Sequence, residues 1–191
     1  LGRWRDALDA FPAEAARAAV AAGLAGASDL LPAGQPVRAC VLPLPPPPVW
    51  GAPDEHAADP NSGVYVEVLS GDRLLLTCSA GETCLERLPV EAAYGYGYMV
   101  QVARMEDGAA NTSLLGFAVF NARAAHLARQ VYPDASFPWD GALTPEQESA
   151  LWARMQDYLA STSEDRVGGR SIQRFLYGSP NAEQYPPYGG L

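Results

Sequence analysis

Residues 88–104 read Leu88-Pro89-Val90-Glu91-Ala92-Ala93-Tyr94-Gly95-Tyr96-Gly97-Tyr98-Met99-Val100-Gln101-Val102-Ala103-Arg104. Two structures compete for this stretch. Read locally, the Tyr-Gly alternation and the Met99-Val100-Gln101-Val102 run have the look of a strand. Each glycine also costs a helix about 1 kcal/mol relative to alanine. Wound as a helix, the stretch brings Leu88, Tyr94, Tyr98 and Val102 near one face, with Ala92 and Met99 close by. The fold class turns on this choice.

Upstream, Val64–Leu69 and Arg73–Cys78 predict a hairpin around Ser70-Gly71-Asp72, and Val37–Leu44 predicts another strand. The segment Trp4 to Ala25 has apolar residues near helical spacing at Trp4, Leu8, Phe11, Ala15, Ala19 and Leu24. Pro12 either kinks that helix or opens a second one in its first turn. Pro45 to Pro48 form a short stiff connector leading to Trp50, and Asp54–Ser62 a polar loop. Downstream, Leu114–Val131 reads as a helix after an Asp107-Gly108 turn. Phe137–Leu143 reads as a loop. Thr144 as N-cap, Pro145 at the first helical position and Glu146-Gln147-Glu148 in the first turn form a strong start signal. The helix they open is expected to bury Leu151, Trp152, Met155, Tyr158 and Leu159. No internal repeat is present.

Composition narrows the function classes. Apolar residues make up 48% of the 191, enough for a sizeable core. All 13 cationic side chains are Arg, and the net charge is −9. An acidic surface repels phosphates and anionic lipid, which excludes nucleic acid and the membrane surface as main partners. No stretch reaches the roughly 18 apolar residues that span a bilayer. Ala13–Ala27 is alanine-rich but contains Glu14 and Arg17, so it does not read as a signal peptide. The chain opens on Leu1 and not Met, which leaves a removed leader open. The compartment is left undetermined, with a lean to the extracytoplasmic side.

Chemistry-bearing residues are sparse. Cys78 and Cys84 flank a short Ser-Ala-Gly-Glu-Thr loop, a spacing compatible with a small disulfide-closed turn or with two reduced thiols. Cys40, in an apolar run, is expected to be a buried thiol. These spacings fit no zinc ribbon. The only histidines are His56, in the acidic loop with Asp54, Glu55 and Asp59, and His126, on a helix face. The loop reads as a solvated segment rather than an ion site. No G-x-S-x-G occurs, and no Cys has a convincing His partner. Ser161-Thr162-Ser163-Glu164 resembles the S-T-S phrase of ADP-ribosylating toxins, but it follows a helix and reads as a polar turn. Asn111-Thr112-Ser113 fits a glycosylation sequon.

The stretch from Leu88 to Arg104 resembles the central helix of the bacterial family of predicted zinc-dependent proteases, roughly L-P-x-x-x-A-H-E-Y-H-H-x-x-x-x-x-R. In such a helix the two His four residues apart hold zinc and the Glu activates water. Here Tyr94 and Tyr98 stand at the His positions and Gly95 at the Glu position. Other phrases resemble the family in the same order. They are Val37–Pro43, Gly63–Glu67 with Leu74–Leu76, Pro138–Thr144, Arg174–Ser179 and Pro186–Gly190. Asn121, in Asn121-Ala122-Arg123-Ala124-Ala125-His126-Leu127, stands where the family carries its third, Glu, ligand. The family continues into a further helix, whereas this chain stops at Leu191.

The resemblance decides for a helix over 86–104. It implies an α+β, zincin-like fold, with a small mixed sheet in the N-terminal half packed on a helical C-terminal half. The chain is expected to be a single domain over 1–191. Within it, 1–82 holds the N-terminal helix and sheet, 83–177 the helical part and 178–191 an extended tail. The resemblance also implies a pseudoenzyme, with no catalytic residue, no metal and no cofactor. The expected function is a binding or structural subunit of a protein assembly. Tyr94, Gly95, Tyr96, Tyr98 and Asn121 form the degenerate former site, where the rings either fill the vacated volume or bind a partner. The tail, with Tyr185 and Tyr188, is a second candidate contact surface. A hydrolase with an unrecognised catalytic site and a secreted or immunity-type inhibitor are the alternatives.

Overall fold

The structure, a computed structural model, describes residues 2–44, 64–79, 82–105, 112–137, 139–141 and 143–162. It has an α+β fold with its sheet in the N-terminal half, as expected. Contacts divide the chain into two compact units. One comprises Leu1–Ala103 with His126–Ala135, the other Arg104–Ala125 with Ser136–Leu191. The first unit keeps the central helix together with the sheet it covers.

In the first unit, α1 (Gly2–Ala10) and α2 (Ala13–Leu30) are separate helices. Pro12 sits just outside α2 at its N-cap position, where its missing N–H costs nothing. Helix α2 runs past Ala25 to Leu30 and buries Ala16, Val20, Gly23 and Ala27 on one stripe of small residues. Three strands follow: β1 (Arg38–Leu44), β2 (Val64–Ser70) and β3 (Arg73–Ser79). Their order is β1-β3-β2, with β1 parallel and β2 antiparallel to β3, which makes the sheet mixed. The hairpin turns at Gly71-Asp72, where the Ser70 hydroxyl bonds the Asp72 carboxylate at 2.9 Å.

Side-chain alternation gives the sheet two unlike faces. Val64, Leu74, Leu76 and Cys78 are buried on the inner one. Tyr65, Glu67 and Leu69 are exposed on the outer one. Cys40 shares the outer face, paired in register with Leu75, and its thiol is exposed. The expected buried thiol is thus corrected. An apolar run implied burial, but on edge strand β1 only the alternate residues Val41 and Pro43 turn inward.

The decisive stretch is helical. Helix α3 spans Glu82–Ala103, with Pro89 inside it, and packs on α2, β2 and β3. Its internal proline and two glycines together cost about 5 kcal/mol in propensity. Against this, Leu88, Val90, Tyr96, Met99 and Val100 are buried. Each such burial contributes about 1.5–3 kcal/mol, so packing outweighs propensity.

In the second unit, α4 (Leu114–Val131) contributes residues up to Ala125. The first-turn amides of α4 lack intrahelical acceptors. Leu114 N–H donates instead to Ser161 at 2.9 Å and Leu115 N–H to Leu159 at 3.1 Å. Helix α5 (Pro145–Met155) begins with a full capping box. The Thr144 hydroxyl accepts from the Gln147 amide, and the Gln147 side chain accepts from the Thr144 amide. Leu151 and Met155, one turn apart, meet Leu114 in a small core flanked by Phe117, Leu143, Tyr158 and Leu159. Trp152 was expected among these and is not: it is 48% exposed. It lies about 100° around the helix from Leu151, off the buried stripe.

Candidate functional site

Helix α3 presents different residues to different neighbours, and this divides the tyrosine cluster. Positions 87, 91, 94, 98 and 101 follow one another at spacings of three and four, and so share a stripe. That stripe carries Arg87, Glu91, Tyr94, Tyr98 and Gln101. Tyr94 and Tyr98 are half-buried neighbours on it, one turn apart.

Tyr96 points elsewhere. Its ring is 2% exposed, and its hydroxyl donates to the Leu31 carbonyl at 2.8 Å. Leu31 is the C-cap of α2, so this phenol satisfies a carbonyl at a helix end. Tyr96 is therefore occupied in joining α3 to α2, whereas Tyr94 and Tyr98 share the other stripe.

Gly95 faces the sheet. A Cβ built there would fall inside the van der Waals envelope of Val66 Cγ1, with Val66 Cβ at 3.5 Å and Leu74 Cδ1 at 3.7 Å. A side chain at this position would require Val66 to turn aside.

Asn121 lies on α4 in the second unit, and its amide donates to the Phe117 carbonyl one turn back at 2.7 Å. His126 is exposed and contacts Gln130 through its Nε2 at 3.1 Å. His56, Tyr185 and Tyr188, and with them the proposed contact tail, lie outside the described residues.

These positions do not fit zinc. A phenol must ionise to bind zinc well, and its ordinary pKa is about 10. Among the described residues no three His, Cys, Asp or Glu side chains gather as a metal-holding group. No described helix is long and apolar enough to cross a membrane.

The stripe also holds a feature that sequence reading passed over. Arg87 Nη2 meets Glu91 Oε1 at 2.5 Å, and Glu91 is 7% exposed. The i, i+4 spacing of Arg87 and Glu91 was visible in sequence, but such pairs usually lie on a solvated face. Burial raises the Glu91 pKa above its ordinary 4.5, and the Arg87 charge and hydrogen bond only partly oppose that rise.

The sign of the pH effect follows. A raised folded-state value means that the folded chain holds this proton longer than the unfolded one. The stabilisation from this group is complete below the unfolded value and is lost as pH rises through the folded one. Glu91→Gln keeps an acceptor for Arg87 and removes the titration. Urea denaturation of both proteins across the acid range up to neutrality should show wild-type stability falling relative to Glu91→Gln as pH rises. An unchanged difference would show that Glu91 does not titrate there.

The Cys78–Cys84 pair, open in the sequence reading, is joined as a disulfide with Cα atoms 6.0 Å apart. It ties the end of β3 to the first turn of α3. Compared with models of known protein families, with curated proteins and with solved structures, the chain matches none.

Proposed function

We propose that this chain is a non-catalytic scaffold of zinc-protease-like organisation that serves as a binding or structural subunit of a protein assembly. The observation that carries the reading is the seat of Gly95. In the family that the sequence resembles, this position holds the carboxylate that activates water. Here the Val66 side chain of β2 occupies the space that a side chain at position 95 would need. A scaffold repacked in this way has no place for the base. The helix that would carry the metal is instead committed to packing, with Tyr96 bonded to the end of α2.

Tyr94 and Tyr98 supply the contact chemistry in this reading. Tyrosine offers a large, stiff apolar ring with a polar end, a combination enriched in protein interfaces. The net charge of −9 favours a partner with a basic or neutral surface over another acidic one.

The test combines elemental analysis with native mass measurement on protein purified from its source. The expected result is zinc far below one per chain, no peptide hydrolysis with or without added zinc, and a second polypeptide in fixed stoichiometry. Double replacement Tyr94→Ala and Tyr98→Ala should then release that polypeptide while the chain stays folded. One tightly held zinc per chain, lost in the same double variant, would overturn the reading.

A further inference from the structure

We propose that docking of α3 onto the sheet is coupled to oxidation of Cys78 and Cys84, so that the chain completes its fold where a disulfide donor is present. The inference does not depend on the proposed function. It rests on where the two sulfurs sit. Cys78 is on the inner face of β3, in register with Val64 of β2 and Pro43 of β1. Cys84 lies in the first turn of α3. The two are 1% and 2% exposed. Their bond therefore crosses the junction between sheet and central helix from within the core.

Helix α3 has particular need of such an anchor. Pro89, Gly95 and Gly97 make it a poor helix on its own, so its order comes from contact with its neighbours. The contacts that orient it lie within a few turns of Cys84: Leu88 in the core, and Gly95 against Val66 and Leu74. A covalent tie at the first turn holds those surfaces in register.

The third cysteine does not compete in the folded chain. Cys40 is on the opposite face of the sheet from Cys78, opposite Leu75 in the register, and is exposed. The native pairing is thus selected by the two faces of the sheet, and Cys40 remains the thiol open to reagents.

The reaction is thiol–disulfide exchange. One thiolate of the pair attacks a donor disulfide, whether of a protein oxidant or of a small thiol, and forms a mixed disulfide. The second thiolate then displaces the donor sulfur and closes the Cys78–Cys84 bond. The first attack expels one donor thiolate and the closure expels the other; these take up the two protons that Cys78 and Cys84 lose, so the donor disulfide leaves as two thiols, reduced by two electrons. Buried structural disulfides occur mostly in proteins of oxidising compartments.

The test uses the full chain refolded with glutathione disulfide as the donor. Denatured without reductant, the product should show one reactive thiol, Cys40, and three after reduction. Reduction of the wild type should lower the melting temperature by about 10 °C. It should also speed hydrogen exchange across residues 85–100 more than in α5. The Cys78→Ala, Cys84→Ala double variant should match the reduced wild type and ignore reductant. If that variant fails to fold, the reduced wild type carries the comparison, and its complete unfolding also supports the coupling. Three reactive thiols in the refolded, unreduced chain would overturn the proposal. So would a reduced wild type that melts and exchanges like the oxidised one.

Discussion

Gly23→Leu should leave no folded protein at room temperature, and Gly23→Ala should lower stability by at least about 2 kcal/mol. At Gly23 the backbone of α2 lies against the backbone of α3 at Pro89. A Cβ there would fall inside the van der Waals envelope of the Pro89 carbonyl oxygen, with the Pro89 carbonyl carbon at 2.9 Å and Ala92 Cβ at 3.0 Å. The obstacle is backbone, which cannot rotate aside as a side chain can. Alanine would gain about 1 kcal/mol in helix propensity over glycine, and that gain is smaller than the cost of forcing two helices apart. Leucine adds a branched chain to the same collision, against a total stability of about 5–15 kcal/mol.

Gly26 provides the control. Its added Cβ would meet only Val131 Cγ1, at 2.5 Å, the end of a side chain that can change rotamer. Gly26→Ala should fall within about 1 kcal/mol of wild type, where propensity and crowding nearly cancel. Chemical denaturation of the three variants ranks them. A Gly23→Ala protein as stable as Gly26→Ala would show that α2 and α3 do not pack as closely as the structure has them.

The triple replacement Tyr94→His, Gly95→Glu, Tyr98→His should not create a zinc site. It should fail to fold. Position 95 faces the inner side of the sheet, so a glutamate there must displace Val66 and place a carboxylate among Leu74 and its neighbours. Overpacking a core costs about 1–3 kcal/mol, and an unpaired buried carboxylate adds several more. Together these approach the whole stability of a domain.

The double variant Tyr94→His, Tyr98→His separates the two causes. Both positions are half-buried and are already occupied by large side chains, unlike Gly95, so this protein should fold with a modest loss. Circular dichroism and zinc titration of the pair of variants check both statements. A folded triple variant that binds one zinc would mean that Val66 yields easily. The reading of this chain as a repacked, non-catalytic scaffold would then lose its main support.

Where a structural decision rests on residues a few positions apart, the sequence is sufficient. The Thr144 capping box, the hairpin turn at Gly71-Asp72 and the ends of α4 at Leu114 and Val131 are all of this kind. Caps, turns and amphipathic periods act over one or two turns of chain, so they can be read before anything else is known. The helix over 86–104 is an intermediate case. Its local signals conflict, and the resemblance to a known helix was needed to set glycine and proline penalties aside.

Other decisions depend on what lies against a given face, and only the tertiary structure makes them. Tyr94, Tyr96 and Tyr98 form one motif in sequence. They part company because Tyr96 is buried and its hydroxyl reaches the C-terminus of α2, 65 residues away, while Tyr94 and Tyr98 are half-buried on another stripe. Cys40 and Trp152 looked apolar enough to bury. They are exposed because strand register and helix phase turned their neighbours Val41 and Leu151 inward instead. Gly23 and Gly95 look like weak points of their helices, yet each marks a place where another element comes too close for a side chain. Propensity is a property of the residue, whereas burial and close approach belong to pairs of segments brought together by the fold. For that reason the composition of α3 could be read from the chain, while what each of its residues does could not.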